Sequence, residues 1–113
     1  MNSIRNQVQL IGHLGKNPEL KTFENDKTMV KFSLATNENY KDQNGEKQTI
    51  TQWHNIIAWG KTAEHIHNMA QKGSEIAIQG KLTYRQYKDA NGTDRYITEV
   101  VAQEFFKISG KES

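Results

Sequence analysis

Apolar residues recur at every second position through much of this chain, and the breaks in that rhythm divide it into segments. Val8 and Leu10 alternate with Gln7 and Gln9, and Val30, Phe32 and Leu34 alternate with Lys31, Ser33 and Ala35. A period of two belongs to half-buried strands, whose successive side chains point to opposite faces, so both segments are expected to be antiparallel strands. Between them Gly12, Gly15 and the pair Asn17-Pro18 supply turn chemistry. Residues 38–47 are polar and contain Asn44-Gly45, a hairpin signal, and a third strand follows as far as Trp59. After Gly60 the period lengthens. Ala63, Ile66, Met69 and Ala70 recur at helical spacing, and Gly73 stands where a helix of about three turns would end. Ile76, Ile78, Leu82 and Tyr84 restore the alternation, interrupted by Gly80, a candidate bend or bulge. Asp89-Ala-Asn-Gly92 is a second hairpin turn, and Tyr96 to Ala102 reads as the last long strand.

Three strands, a helix and two more strands describe an all-β chain with one helix. That order is the layout of an OB-fold, a five-stranded Greek-key barrel with the helix between strands 3 and 4. Residues 1–107 are expected to form this one domain, with 108–113 a short disordered end. The expected core is Val8, Leu10, Val30, Phe32, Leu34, Ile56, Ala58, Ile76, Ile78 and Leu82.

The third strand poses a problem for that core. Alternation puts Trp53, Asn55, Ile57 and Trp59 on one face and His54, Ile56 and Ala58 on the other, so if the second face is inward, both tryptophans of the chain point outward. Burial preference alone argues the reverse. Outward tryptophans make sense when their partner is not part of the chain: every base has a π-face, and an exposed aromatic stacks on any of them for about 1–3 kcal/mol per base without reading sequence.

Composition narrows the classes of function. With 113 residues, no cysteine and a formal net charge of +2, the chain has neither thiol chemistry nor a thiolate metal site, and its mild basicity does not by itself demand a nucleic-acid partner. The longest apolar runs are a few residues, and the first residues lack a signal-peptide layout, so a cytoplasmic protein without a membrane span is expected. His65 and His67 are two apart, not four, and do not suit a metal shared on one helix face. Asp26, Asp42, Asp89 and Asp94 fall in or beside turns, where Asp is common for local hydrogen bonding, and no spacing singles out a nucleophile or base. No enzyme activity, metal or cofactor is expected.

Several segments, in order, resemble bacterial-type single-stranded DNA-binding proteins. They are Asn6-Gln-Val-Gln-Leu-Ile-Gly-His-Leu-Gly-Lys-Asn-Pro-Glu19, Phe32-Ser-Leu-Ala-Thr36, Thr51-Gln-Trp-His-Asn55, Gly60-Lys-Thr-Ala-Glu64, Lys72-Gly-Ser74 and Asp94-Arg-Tyr-Ile-Thr-Glu-Val-Val101. The resemblance covers almost the whole chain and implies base stacking on Tyr40, Trp53, Trp59 and Tyr87. Lys31, Lys41, Lys61, Lys72, Lys81, Arg85 and Arg95 lie beside these aromatics, on the polar faces of their strands or flanking the helix, and are candidate phosphate contacts. Asn55 and Gln86 stand where related proteins often carry basic residues. The resemblance further implies a homotetramer, with Val8, Leu10 and His54 at subunit contacts. It implies a role in DNA replication, recombination and repair, with the protein associated with the nucleoid. The acidic tip with which many relatives recruit other proteins does not follow Gly110-Lys-Glu-Ser113, so tail-mediated partners are not expected. Two other readings remain open on the residues: an RNA-binding OB module, and a protein-interaction barrel with tryptophan hot spots.

Overall fold

The computed structural model describes residues 4–109. The chain runs β1 (Val8–Leu14), β2 (Glu19–Thr22), β3 (Thr28–Lys41), β4 (Lys47–Trp59), α1 (Gly60–Met69), β5 (Glu75–Lys88) and β6 (Asp94–Ser109). Backbone pairing passes from β1 to β5, β6, β4 and β3, and β3 returns to β1 through His13↔Ala35 and Leu14↔Leu34. Five strands therefore close a barrel, and α1 joins the third to the fourth of them, as the order of segments implies. Closure uses one parallel pair, β4 with β6 at Ile56↔Val100 and Ile57↔Val101.

Inside lie Leu14, Val30, Phe32, Leu34, Ile56, Ala58, Ile76, Ile78, Val100 and Ala102, with Ala63, Ile66 and Ala70 of the helix region against them. Val8, Leu10 and Leu82 are only partly buried against this core. The helix presents Ala63 and Ile66 inward, three residues apart on one face, while its other side is polar.

Four details differ from the alternation-based reading. A sixth strand, β2, pairs outside the barrel with β3; it has four residues and one apolar side chain, Leu20, too little for alternation to reveal. Gly12 is a residue of β1, not of a turn: a Cβ there would collide with the Ala35 carbonyl where β1 crosses β3. The helix stops at Met69, since Ala70 is extended and buried, although its N–H still reaches Ile66 O at 2.9 Å; Gly73 lies in the following turn. β6 continues through Ser109, past the expected end of the domain at 107, and residues 110–113 of the expected loose end lie outside the described residues. Gly80 does mark a bulge, with the β5–β6 register shifting between Gln79 and Gly80.

Three hairpins share one turn. In Asp42-Gln-Asn-Gly45 and Asp89-Ala-Asn-Gly92 the Asp carbonyl accepts the glycine N–H at 3.0 Å, and each glycine has positive φ (77° and 79°). The β2–β3 turn, Phe23-Glu-Asn-Asp26, repeats this with Asp26 N–H on Phe23 O at 2.9 Å, but places a non-glycine at φ 64°. In the first two turns the Asp carboxylate also accepts backbone N–H groups, from Asn44 and Glu46 and from Asn91 and Thr93. These bonds hold both carboxyls below the usual range: at Asp42 chiefly through Glu46, and at Asp89 chiefly through Arg95 and then Thr93.

Candidate nucleic-acid interface

The β3–β4 register decides what the outer face presents. Residues opposite one another across an antiparallel pair point the same way, so Met29 with Trp59, Lys31 with Ile57, Ser33 with Asn55 and Ala35 with Trp53 form four outward rows. Inward rows between them carry Val30 with Ala58 and Phe32 with Ile56. Both tryptophans project outward; Trp53 is 61% exposed and Trp59 44%. The parallel β4–β6 step and the β5–β6 register continue the same face through Val101, Glu99, Ile97 and Arg95 and through Lys81, Thr83, Arg85 and Tyr87.

A groove of about 510 Å³ crosses this face beside Trp59, with Ile57, Val101 and Glu99 in its floor and Lys31 and Arg85 on its sides. Ile57 shares the tryptophan face yet is buried, because it lies in that floor. Such a surface offers apolar ring faces for bases and cations for phosphates.

Each indole has a neighbour that limits its rotation. The Trp53 ring lies over Gly15, where a Cβ would come within 2.6 Å of Cζ3 and 2.9 Å of Cη2. Trp59 is flanked by Phe23, with ring centroids 6.1 Å apart and planes inclined by 30°. Phe23, 43% exposed at the β2–β3 turn, is an aromatic beside the candidate interface that alternation did not flag. The polar trio Glu24-Asn25-Asp26 after Leu20-Lys-Thr is a turn signal that would have located it.

The remaining candidates divide by face and by partner. Tyr87 is on the outer face, whereas Tyr40 pairs with Gln48 and so projects from the side of β3 opposite the tryptophans, on the arm that extends past the barrel. Both are about half exposed. Arg85 binds Glu99 through two nitrogens, at 3.3 and 3.2 Å, with Glu99 almost fully buried. Hydrogen bonding from Glu99, then its charge, raises the Arg85 pKa further above its ordinary value. Arg95 Nε donates to Asp89 at 2.9 Å and Lys88 pairs with Asp94 at 3.4 Å, so the β5–β6 arm neutralises much of its own cationic charge. Lys31, Lys41, Lys61, Lys72 and Lys81 enter no ion pair among the described residues. Lys41 stands opposite Lys47 near the arm tip, and Lys61 lies in a hollow with Trp59 and Glu64. Lys72 is exposed, its backbone N–H bonded to Asn17 Oδ1 at 2.7 Å.

Each residue expected at a subunit contact also has contacts within its own chain. Val8 and Leu10 pack against the chain's own core, because they occupy the inward parity of β1; its outward residues are Gln9, Ile11 and His13, with Ile11 half exposed. His54 is half-buried, its Nε2 2.9 Å from Thr36 Oγ1. Among the described residues, no three His, Cys, Asp or Glu side chains come together as metal ligands would, and no helix is long and apolar enough to cross a membrane.

Comparison with known proteins agrees with this geometry. The model of the single-strand binding protein family matches residues 5–108. Single-stranded DNA-binding protein 1 of Chlorobaculum tepidum is 39% identical over 109 residues, which are 96% of this chain and 67% of that protein. Among solved structures, the Plasmodium falciparum SSB in complex with ssDNA superposes with a TM-score of 0.83 at 28% identity, covering 96% of this chain and all of that one. A deletion mutant of the single-stranded DNA binding protein from Thermus aquaticus gives 0.80 at 25% identity, over 94% of this chain. The chain covers 51% of that deletion-mutant chain.

Proposed function

The chain belongs to the single-strand binding protein family, and on that footing we propose that it binds single-stranded DNA with little regard to sequence, covering and protecting it. The observation that carries this reading is the outward pair of indoles, Trp53 and Trp59, on one barrel face with Lys31 and Arg85 beside the groove between strands. Bases stack on the rings, and the unpaired lysines replace counterions along the backbone. Ring stacking has no hydrogen-bond code, so sequence preference is weak. Duplex DNA keeps its bases inside the helix and presents no ring faces to stack.

The same reading extends to biology and assembly. Binding of this kind serves DNA replication, recombination and repair, where single strands are exposed, and the protein acts by occupancy, not by catalysis. We assign it to the cytoplasm, with the nucleoid. Four chains are expected to assemble: from Val8 to Gly12, β1 pairs on one side with β5 and, among the described residues, has no partner strand on the other, an open edge that a second copy can cover. Several linked sites then let one strand wrap, making later contacts intramolecular.

Anisotropy of a labelled polythymidine oligomer, matched against polyuridine and a duplex of equal length at low and high salt, tests the proposal. Tight thymidine binding that weakens steeply with salt and far exceeds duplex binding is expected. Equal duplex binding, or affinity independent of salt, refutes it. A monomer by sedimentation at micromolar concentration refutes the assembly alone.

A further inference from the structure

β2, which pairs with β3 outside the barrel, extends the outer face that carries the tryptophans. Lys21 is opposite Met29, and Met29 is opposite Trp59, so Lys21, Met29 and Trp59 form one row across three strands, spanning about 10 Å at the usual strand spacing. The next row is Glu19, Lys31 and Ile57. A cleft of about 230 Å³ opens here, lined by Lys16, Asn17, Glu19, Lys21, Lys31 and Asn55 among others. Asn55 lies between the two tryptophans on the same face of β4, next to Trp53.

We propose that this cleft is a phosphate-binding step of the nucleic-acid path, in which Lys16, Lys21 and Lys31 hold a backbone phosphodiester between the bases stacked on Trp53 and Trp59. The proposal rests on the single-strand reading above and adds residues to it. Three ammonium groups face one carboxylate, Glu19, leaving the cleft with a net positive charge. None of the three lysines enters an ion pair among the described residues, in contrast to Arg85, Lys88 and Arg95 on the β5–β6 arm. The loop that carries Lys16 is held in place: Gly15 N–H donates to Ser33 O at 3.2 Å, and Asn17 Oδ1 accepts the Lys72 N–H at 2.7 Å. The loop on either side of Lys16 is therefore ordered before a strand arrives, which limits the loop entropy lost on binding.

The test measures the salt dependence of polythymidine binding for the wild type, a Lys16→Gln/Lys21→Gln double variant and Glu19→Gln. Each phosphate neutralised contributes about 0.7 to the slope of log affinity on log salt for single strands, so the double variant, which leaves the one phosphodiester with Lys31 alone, should lose up to about 0.7. Between about 50 and 200 mM salt its affinity should then fall up to about 2.6-fold less than that of the wild type. Glu19→Gln should bind more tightly at low salt, a gain that a damaged fold would not produce. A double variant with the wild-type slope, or a Glu19→Gln protein that binds no better, overturns the cleft while leaving the single-strand reading intact. A wild type that binds without salt dependence overturns both.

Discussion

Replacing Gly15 by alanine should weaken DNA binding while leaving the fold in place. The new Cβ would come within 2.6 Å of Trp53 Cζ3 and 2.9 Å of Cη2, distances at which one group must move. The backbone is the harder of the two to shift, because Gly15 N–H is bonded to Ser33 O and the next residue but one is tied to the turn after the helix. Trp53 is 61% exposed and its contacting atoms are at the far end of the ring, so the indole rotates away. The cost to stability is that of an off-rotamer surface side chain, about 0.5–1.5 kcal/mol, offset by about 0.4–1 kcal/mol from the stiffer unfolded chain. Net change in urea stability should stay within about 1 kcal/mol. Stacking of one base contributes about 1–3 kcal/mol. Because the ring is displaced and not removed, the lower part of that range applies, and Kd should rise about five- to tenfold at about 1.4 kcal/mol per decade. Anisotropy with polythymidine measures Kd, and urea unfolding measures stability. The reasoning fails if Kd is unchanged in Gly15→Ala while Trp53→Ala weakens binding, since the ring's seat over Gly15 would then be irrelevant to the DNA. It also fails if stability falls by several kcal/mol, because the loop and not the ring would have yielded.

Three further outcomes follow from the same geometry. Asp26→Gly should raise stability by about 0.5–1 kcal/mol in urea unfolding, because it puts glycine at φ 64° in a turn whose two counterparts already use it there. Asp42 and Asp89 have carboxyl pKa values below the ordinary one, so their contribution is complete above the unfolded value, about 3.9, and is lost as pH falls through the folded values. Tm should decline in that acid range, and Asp89→Asn should flatten the decline; a Tm indifferent to pH below about 4 would contradict this. Glu99→Gln should steepen the salt slope of DNA binding by up to about 0.7, because Arg85 loses its buried anionic partner and becomes available to phosphate; an unchanged slope would mean that Arg85 does not meet the strand.

Alternation made the barrel legible because most of its strands are half-buried, with one face at the core throughout. Period two put Val30, Phe32 and Leu34 on one face and separated Ile56 and Ala58 from Trp53 and Trp59, but only the family resemblance pointed the tryptophans outward, and these residues lie where the two together put them. The helix was legible from Ala63 and Ile66, but its end was not: Ala70 fits the helical spacing and packs in the core, yet its backbone is extended. β2 escaped because its pairing is with β3 alone and involves a single core-facing leucine. Electrostatic partnership was the least legible feature. Thr83, Arg85, Ile97 and Glu99 are neighbours only through the β5–β6 register, and a chain read residue by residue cannot tell a free arginine from one held by a buried glutamate. Tyr40 illustrates the same limit, since its face depends on the parity of β3 across the whole arm and not on its neighbours in sequence.

The most direct test of the central claim is a titration of intrinsic tryptophan fluorescence with polythymidine at low and high salt, in the wild type and in Trp53→Ala and Trp59→Ala. The account requires strong quenching that weakens with salt, that falls in each single variant, and that is accompanied by a loss of affinity equivalent to about 1–3 kcal/mol per ring. Quenching that survives undiminished in both variants, or affinity that ignores both substitutions, would contradict it.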